Sequence, residues 1–357
     1  MQKIKKYLYY SINCLIIAII LFCSLNFNKV YAYEVSKGEF VLELNSGKVF
    51  SSYNESEILP MASTTKILTA ITVINNFDLN KTVKVPKNCV GIEGSSIYLK
   101  EGERLTVKEL LYGLMLRSGN DCAECLASTI ISRSEFIKLM NETAVKCGAT
   151  NSNFTNPHGL HDDNHYTTAK DLAYITAYAM KNEIFKEIVS TKKIAISNEF
   201  YDYKRILINK NKMLFNFDGA NGVKTGYTKK AGRCLVSSAI KNGMEVICVV
   251  LNSPNMWERS KELINYCFDN YKMTQVLNKE NLNNEIFTSD DGKRFTINIQ
   301  SDFNYPLTKE EIESVNYKIN GKSLKEFLKK PDKSGVFEIF TQNKLIFSQN
   351  IFTIYID

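Results

Sequence analysis

Apolar and polar residues alternate near the start of the chain and then give way to a helical period. The stretch from Gly38 to Phe50, GEFVLELNSGKVF, alternates about an Asn-Ser-Gly turn, which predicts a β-hairpin. In STTKILTAITVINNF, apolar residues recur every three or four positions after a Ser- and Thr-rich start. This pattern predicts a helix whose first turn contains Ser63 and Lys66.

Helical periods continue over about residues 105–190, and alternation returns after Gly219. The stretches GVKTGYT, GRCLVSSAI and MEVICVVLN predict three successive strands, and MWERSKELINYCFDNY predicts a helix after them. Strands at both ends with helices between them predict an α/β domain over residues 33–275. Its sheet is then assembled from segments far apart in the sequence.

The composition and the hydrophobic pattern change after Tyr271, where short alternating stretches lie in Asn-, Asp- and Lys-rich sequence. Examples are RFTINIQ, VNYKING and the final IFTIYID. They predict a small all-β domain over residues 280–357. Nothing in this region resembles a reactive constellation of side chains.

The first 32 residues have the composition of a secretory signal peptide. Lys3, Lys5 and Lys6 precede an apolar run from about Tyr7 to Leu25, and VYA at positions 30–32 suits a signal peptidase. We expect an exported protein; the alternative is an uncleaved anchor that leaves it associated with the membrane. The segment carries four lysines and no acid, so its removal lowers the net charge from +7 to +3. So small an excess does not favour nucleic acid as a partner.

The cysteine pattern does not predict a disulfide framework. Seven of the nine cysteines follow the export segment, and an odd number cannot all pair within one chain. The chain is also long enough to fold without stabilising disulfides. Cys122 and Cys125 have C-x2-C spacing, but they lie in a helical pattern and no second such pair exists. Cys234 and Cys248 lie in strand-like apolar runs and are expected to be small core residues.

Two short motifs occur at the ends of predicted helices. Ser63 and Lys66 are three residues apart, so they share one helix face and the amine can reach the hydroxyl. A lysine of lowered pKa can take the serine proton and make the oxygen a nucleophile. Ser118-Gly119-Asn120 marks a junction between two helical patterns, where a short loop is expected to expose a hydroxyl and an amide to the same cleft.

A third motif, Lys224-Thr225-Gly226, lies on a predicted strand after DGANGV. A cation and a hydroxyl beside a glycine are suited to a carboxylate that must approach the backbone closely. Each motif alone is common. All three in this order, about 55 and 105 residues apart, are far more specific.

This constellation resembles the penicillin-recognising acyl-serine enzymes, with their S-x-x-K, S-x-N and K-T-G motifs. The stretches PMASTTKILTA, GSSIYLKEGERLTVKELLYGLMLRSGNDCAECLA, TNPHGLHDDNHYTTAKDLA and VKTGYTKKAGRCLVSSA are similar to the low-molecular-mass penicillin-binding proteins that are D-alanyl-D-alanine carboxypeptidases. The resemblance covers about residues 34–271. It implies a penicillin-binding protein/β-lactamase-like catalytic domain, in which an antiparallel sheet is flanked by helices with a helical subdomain.

The resemblance also implies roles for the motif residues. Ser63 would attack the penultimate D-Ala carbonyl of a peptidoglycan stem peptide, with Lys66 as base and Ser118 relaying a proton to the leaving amine. Asn120 would bind the substrate backbone. Thr225 would bind the terminal carboxylate, and Lys224 would help to hold the electrostatics of the site around Ser118. Lys224, Thr225 and Gly226 together belong to the implied substrate-binding set.

The resemblance further implies an oxyanion hole formed by main-chain N–H groups of Ser63 and Tyr227. No metal or organic cofactor is implied, and β-lactams are expected to be covalent inhibitors.

The sequence departs from the family near the last helix of the catalytic domain. Relatives commonly have a basic residue just before the aromatic residue of that helix, whereas Met256 precedes Trp257 here. Help with the carboxylate from Arg259 or Arg233 is therefore left open.

The histidines supply the rival hypothesis. His158, His161 and His165, with nearby aspartates, could form a zinc peptidase site, although no H-E-x-x-H motif is present. A Ser-His-Asp hydrolase would need one of the same histidines but lacks a G-x-S-x-G motif. We instead expect His165 to hold a turn by hydrogen bonding, with His158 and His161 nearer the surface and Thr167 or Thr168 capping the next helix.

Two further alternatives share the motifs. A β-lactamase would need a carboxylate that activates water, yet no E-x-x-x-N loop is recognisable. A wall-binding protein with a vestigial site is disfavoured because the complete motif set is present. The sequence does not distinguish among vegetative, division and spore-wall roles.

Overall fold

The computed structural model of the protein describes residues 36–197, 200 and 202–356. The signal peptide predicted over residues 1–32 lies outside these residues. Among those described, no helix is both long and apolar enough to cross a membrane.

Strands and helices alternate in the first two thirds of the described chain, and strands predominate afterwards. The strands are β1 (Gly38–Glu43), β2 (Val49–Tyr53), β3 (Thr82–Lys84), β4 (Arg104–Thr106), β5 (Lys193–Ile196), β6 (Arg205–Ile208), β7 (Ala220–Thr228), β8 (Gly232–Lys241), β9 (Met244–Leu251), β10 (Lys272–Leu277), β11 (Phe287–Thr288), β12 (Arg294–Asn298), β13 (Phe303–Leu307), β14 (Asn316–Ile319), β15 (Lys322–Ser323), β16 (Ser334–Thr341) and β17 (Lys344–Ile356).

The α-helices are α1 (Lys66–Asn76), α2 (Val107–Leu116), α3 (Asn120–Thr129), α4 (Arg133–Lys146), α5 (Ala169–Met180), α6 (Glu183–Ser190), α7 (Met213–Asn216), α8 (Met256–Asn270), α9 (Lys279–Asn283), α10 (Lys309–Glu313) and α11 (Leu324–Lys329). Two 3-10 turns cover Ala62–Thr65 and Lys87–Cys89.

The central sheet joins the two ends of the larger part of the protein, residues 36–271. Its strand order is β2-β1-β9-β8-β7, and every pairing is antiparallel. The hairpin β1–β2 is completed by β9, from Gly38 opposite Leu251 to Glu43 opposite Val246. The predicted sheet of distant segments is confirmed.

Helices cover both faces of this sheet. On one face, α1 to α6 surround a core that includes Ile67, Leu110 and Phe185. On the other face, α8 packs Leu263 and Ile264 over the sheet. This arrangement confirms the α/β class, because each apolar sheet face is buried under an amphipathic helix layer.

Side-chain caps define where the helices near the motifs begin. Ser132 and Glu135 form a capping box at the start of α4. Thr168 accepts a hydrogen bond from the Asp171 N–H at the start of α5, which confirms the predicted cap. The loop 147–168 therefore runs from the end of α4 to the Thr168 cap of α5.

The C-terminal part, residues 272–356, has a core of its own. Strands β11-β12-β17-β16-β14-β15 form one sheet, and β10 pairs with β13. Phe295, Phe337 and Ile351 are fully buried in that core. The ammonium nitrogen of Lys48 joins the two parts, lying 2.6 Å from a Glu311 carboxylate oxygen. The exact division into domains at residues 275–280 stays a prediction.

Candidate active site

The S-x-x-K motif lies where a 3-10 turn runs into a helix. The turn covers Ala62–Thr65, and α1 begins at Lys66. Ser63 is half-buried and Lys66 is fully buried. The Lys66 amine nitrogen lies 2.9 Å from the Ser63 hydroxyl oxygen, so the predicted amine–hydroxyl contact is present.

Two fixed acceptors orient the Lys66 amine. Its Nζ donates to Asn120 Oδ1 at 2.7 Å and to the main-chain oxygen of His158 at 2.5 Å. A neutral amine has two N–H groups and one lone pair. When those N–H groups bond to Asn120 and His158, the lone pair is directed at the Ser63 hydroxyl, as a general base requires.

The surroundings of Lys66 favour that neutral amine. Burial lowers the pKa of Lys66 well below its ordinary value, and the nearby ammonium groups of Lys224 and Lys210 lower it further. The second of these cations was not among the residues singled out from the sequence. The Lys210 Nζ donates to the Ser95 hydroxyl at 3.0 Å. Its sequence context, INKNKM, carries no signal that distinguishes it from any other surface lysine.

Ser118-Gly119-Asn120 forms the junction between α2 and α3. Ser118 adopts a left-handed φ of 64°, and Asn120 is the first residue of α3. The prediction that both side chains are exposed is wrong, because only 5% of Ser118 and 4% of Asn120 is accessible. The main-chain oxygen of Glu93 accepts from Asn120 Nδ2 at 2.6 Å.

Lys224-Thr225-Gly226 lies on β7, the edge strand beside the Ser63 turn. A Cβ on Gly226 would lie 3.1 Å from the Ser63 nitrogen, which is tighter than ordinary packing, so the close approach favours glycine. Lys224 is buried, and its Nζ donates to the Thr225 oxygen at 2.9 Å. The next residue, Tyr227, is 66% exposed. The main-chain N–H groups of Ser63 and Tyr227 therefore belong to two adjacent segments.

Burial also shifts the pKa of the K-T-G lysine. Together with the smaller effect of the Lys210 ammonium, it lowers the pKa of Lys224 to about 7. The site thus contains a lysine that favours the neutral form, Lys66, beside one that titrates near neutrality.

His165 holds the loop beside Ser63, as predicted. Its Nε2 lies 2.8 Å from the Thr65 hydroxyl oxygen, and its Nδ1 accepts from the Thr155 N–H at 3.0 Å. Burial lowers the pKa of His165 to about 4, so the ring is neutral at ordinary pH. This histidine ties the 153–166 loop to the 3-10 turn that contains Ser63.

The other two histidines have separate partners. The prediction that His158 lies near the surface is wrong, because it is only 8% exposed and its Nε2 lies 3.0 Å from a Glu124 oxygen. His161 is exposed as expected and lies 3.3 Å from Asp163. No three His, Cys, Asp or Glu side chains of residues 36–197, 200 and 202–356 are grouped to hold a metal ion. The donor geometry therefore does not support the zinc hypothesis.

Glu124 connects His158 to a second helix. Arg133 at the start of α4 binds the Glu124 carboxylate through Nε at 2.9 Å and Nη2 at 3.0 Å. Burial raises the pKa of Glu124, but the hydrogen bonds from His158 and Arg133 outweigh it and lower the pKa to about 2. Sequence reasoning missed this network. A usable signal was present, since Glu124 is a charged residue inside the apolar pattern of α3.

The two arginines left open from the sequence differ in their contacts. Arg259 donates from Nε and Nη2 to the buried Glu39 carboxylate, each at 2.8 Å. That bidentate pair joins α8 to β1. Arg233 is exposed, lies opposite Tyr227 in the β7–β8 register, and donates to the Pro254 oxygen at 3.1 Å.

The cysteines behave as small core residues. All seven cysteines in the described part of the chain are free thiols, and only Cys147 is not fully buried. Cys234 and Cys248 lie in the core on strands β8 and β9, as predicted.

Comparison with known proteins identifies the family of this chain. The model of the D-alanyl-D-alanine carboxypeptidase family, peptidase S11, matches residues 29–255. The D-alanyl-D-alanine carboxypeptidase DacF of Bacillus subtilis is 35% identical over 255 residues, covering 69% of this chain. This chain spans 65% of the length of that relative.

Solved structures show the same fold. Penicillin-binding protein 5 from Haemophilus influenzae superposes with a TM-score of 0.72 at 24% identity, over 90% of this chain and 96% of its own. A mutant of the Streptomyces K15 DD-transpeptidase gives a TM-score of 0.62 at 32% identity, over 66% of this chain and 98% of its own. The predicted penicillin-binding protein-type fold is confirmed.

Proposed function

The chain belongs to the D-alanyl-D-alanine carboxypeptidase family of peptidase S11, and on that premise we propose that it removes the terminal D-Ala from peptidoglycan stem pentapeptides. The reaction passes through an acyl-enzyme on Ser63. The observation that carries the proposal is the buried Lys66 amine, held by two acceptors with its third position at the Ser63 hydroxyl.

Acylation begins when the Ser63 oxygen attacks the carbonyl carbon of the penultimate D-Ala. The Ser63 proton passes to the Lys66 lone pair as the new C–O bond forms. The oxygen of the tetrahedral intermediate becomes negative and accepts hydrogen bonds from the Ser63 and Tyr227 N–H groups. The close passage of β7 at Gly226 supports this pairing.

The intermediate then collapses and the bond to the terminal D-Ala nitrogen breaks. Ser118 relays a proton from the Lys66 side to that leaving amine. Asn120 has a second amide hydrogen besides the one bound to Glu93, and this hydrogen binds the substrate backbone. The terminal carboxylate binds at Thr225 beside Gly226. The buried Lys224, the preceding residue on β7, supplies positive charge to this site.

Deacylation uses the same groups in reverse. Water attacks the Ser63 ester, Lys66 takes a water proton, and Ser63 regains its hydroxyl. These side chains supply nucleophile, base and oxyanion donors without a metal or organic cofactor. A β-lactam places its strained amide at the same position and acylates Ser63, which makes β-lactam antibiotics covalent inhibitors.

The expected location follows from the substrate. Peptidoglycan lies outside the cytoplasmic membrane, and the lysine-led apolar segment over residues 1–32 suits export to that side. Secretion into the wall and retention by an uncleaved segment are both compatible with this function. A role in cell-wall biogenesis and cell shape follows if the enzyme trims stem peptides there.

Product analysis tests the proposal against its rivals. A synthetic pentapeptide ending in D-Ala-D-Ala should release free D-Ala in a strong chelator, and benzylpenicillin should stop that release. Loss of activity to the chelator alone would instead support a zinc peptidase using His158, His161 and His165. Rapid turnover of benzylpenicillin with no D-Ala release would indicate a β-lactamase.

A further inference from the structure

A buried carboxylate, that of Glu124, is connected to the Lys66 amine through His158. Glu124 of α3 binds Arg133 of α4 through two hydrogen bonds and lies 3.0 Å from His158 Nε2. The main-chain oxygen of the same histidine accepts from Lys66 Nζ at 2.5 Å. Three hydrogen-bonded steps therefore connect an arginine at a helix start to the amine beside the nucleophile.

The His158 ring is held from both sides. Its Nδ1 accepts from the Leu160 N–H at 3.1 Å, so the ring proton is on Nε2 and is donated to Glu124. The ring cannot rotate without breaking both bonds. Its main chain is confined as well, because Asn156 Oδ1 accepts from the N–H groups of His158 and Gly159 at 3.3 and 2.7 Å.

We propose that Glu124, clamped by Arg133, is a positioning residue for acylation: it fixes His158 so that the Lys66 lone pair points at Ser63. This inference rests on the proposed function, in which Lys66 is the base. Glu124 itself touches neither Ser63 nor the cleft, since it is 8% exposed within α3.

Stability alone does not account for this network. A buried, hydrogen-bonded ion pair often contributes no more than well-packed apolar side chains of similar volume. The network does help to fix an acceptor. Without it, the His158 main-chain oxygen is held only by the Asn156 contacts, and a neutral Lys66 amine samples more orientations, of which only some aim the lone pair at Ser63.

The ammonium form of Lys66 also depends on the network. Donation to a fixed carbonyl stabilises an ammonium more than a neutral amine, because its hydrogen bonds are charge-assisted. Loss of Glu124 therefore lowers the Lys66 pKa further. The other charged or titratable groups that act on Lys66 stay in place; they are Lys224 of β7, Lys210 after β6, Asp121 and Cys122 of α3, and the ring of His165, while the His158 ring is the group that Glu124 itself contacts.

The test is the acylation rate with benzylpenicillin, resolved into a non-covalent binding constant and a first-order acylation constant, and measured against pH. We expect Glu124→Ala to lower the acylation constant by about 10- to 100-fold while binding is unchanged. We also expect the rise of its acylation constant with pH, which follows deprotonation of Lys66, to move to lower pH. This rise is the acidic limb of the pH profile. Glu124→Gln keeps an acceptor for His158, so it should restore most of the lost rate.

Glu39→Ala is the matched control. Glu39 is a buried glutamate with a bidentate arginine partner, Arg259, but its contacts lie between β1 and α8. The Glu39→Ala variant should be less stable than the wild type but keep the acidic limb of its acylation pH profile at the wild-type position. If Glu124→Ala fails to fold, Glu124→Gln and Arg133→Met provide the same test, each with a smaller loss of rate and a limb displaced to lower pH.

Two outcomes overturn the inference. One is an acidic limb at the wild-type pH in every folded Glu124 and Arg133 variant. The other is a rate loss shared equally by the Glu39 control. Neither outcome touches the proposed function, which fails only if the wild-type protein is not acylated at Ser63.

Discussion

The Lys66 amine nitrogen and the Ser63 hydroxyl oxygen lie 2.9 Å apart at the start of one helix, with the amine fully buried. Replacing Lys66 by arginine tests the role of that amine, because arginine keeps a positive charge but does not deprotonate in proteins. We expect the acylation rate to fall by about 10²- to 10⁴-fold, the usual range for a lost general base. Stopped-flow acylation measures it, and a Lys66→Arg variant acylated at the wild-type rate would rule out the base.

The pH dependence of the substrate reaction should have two limbs. Activity rises as Lys66 loses its proton, since only the neutral amine is a base. In the free enzyme it falls as pH rises through about 7, because the Lys224 ammonium, whose pKa burial lowers to about 7, loses the charge that attracts the substrate carboxylate.

The bound carboxylate raises the Lys224 pKa, so kcat should keep its alkaline activity to higher pH than kcat/KM. Steady-state kinetics over the pH range separate these two quantities. Lys224→Gln should remove the alkaline limb from kcat/KM. A limb that persists in this variant would assign it to another group.

Gly159 is required where the loop meets the nucleophile turn. It has a φ of 89°, and a Cβ would lie 1.9 Å from the Ala62 main-chain oxygen. We expect Gly159→Ala to lower the free energy of unfolding by about 2–5 kcal/mol, from a left-handed residue plus overpacking.

Gly148→Ala is the control for backbone strain alone. Gly148 has a φ of 86°, but its added Cβ would meet only the Tyr174 ring at an ordinary 3.7 Å. A loss of about 1–2 kcal/mol is expected there. Denaturant unfolding measures both variants, and equal losses would contradict the predicted backbone clash at Gly159.

The sequence left open whether Arg259 or Arg233 helps to bind the substrate carboxylate, and the KM of the two variants should distinguish them. Arg259 is bound to Glu39, so Arg259→Gln should cost about 2–3 kcal/mol of stability, discounted for its partial exposure, and leave KM unchanged. Arg233 is exposed beside Tyr227, and Arg233→Gln should raise KM for the pentapeptide by roughly tenfold. Lys261→Gln, a change on the α8 surface, is the control for both measurements. A raised KM in Arg259→Gln alone would reverse the assignment.

Local sequence patterns predicted the elements and the motif side chains well. Ser63 and Lys66 meet because three residues along a helix start bring two side chains together, which needs no knowledge of the rest of the fold. The cap at Thr168 and the hairpin β1–β2 depend on similarly short-range rules.

The contacts that orient Lys66 could not be predicted in this way. His158 contributes a main-chain oxygen, a group that every residue carries and that no side-chain pattern reveals. Glu124 and Arg133 act through partners on separate elements, and Lys210, which follows β6, is far in sequence from the Lys66 on which it acts. The wrong prediction for His158 has the same origin, because its contact with Glu124 joins two separate elements.

Intact protein mass after incubation with benzylpenicillin tests the central claim most directly. We predict that the wild-type protein gains the mass of one penicillin molecule, and that folded Ser63→Ala gains none. A wild-type protein without a stable adduct, or an adduct retained in Ser63→Ala, would contradict an acyl-enzyme on Ser63.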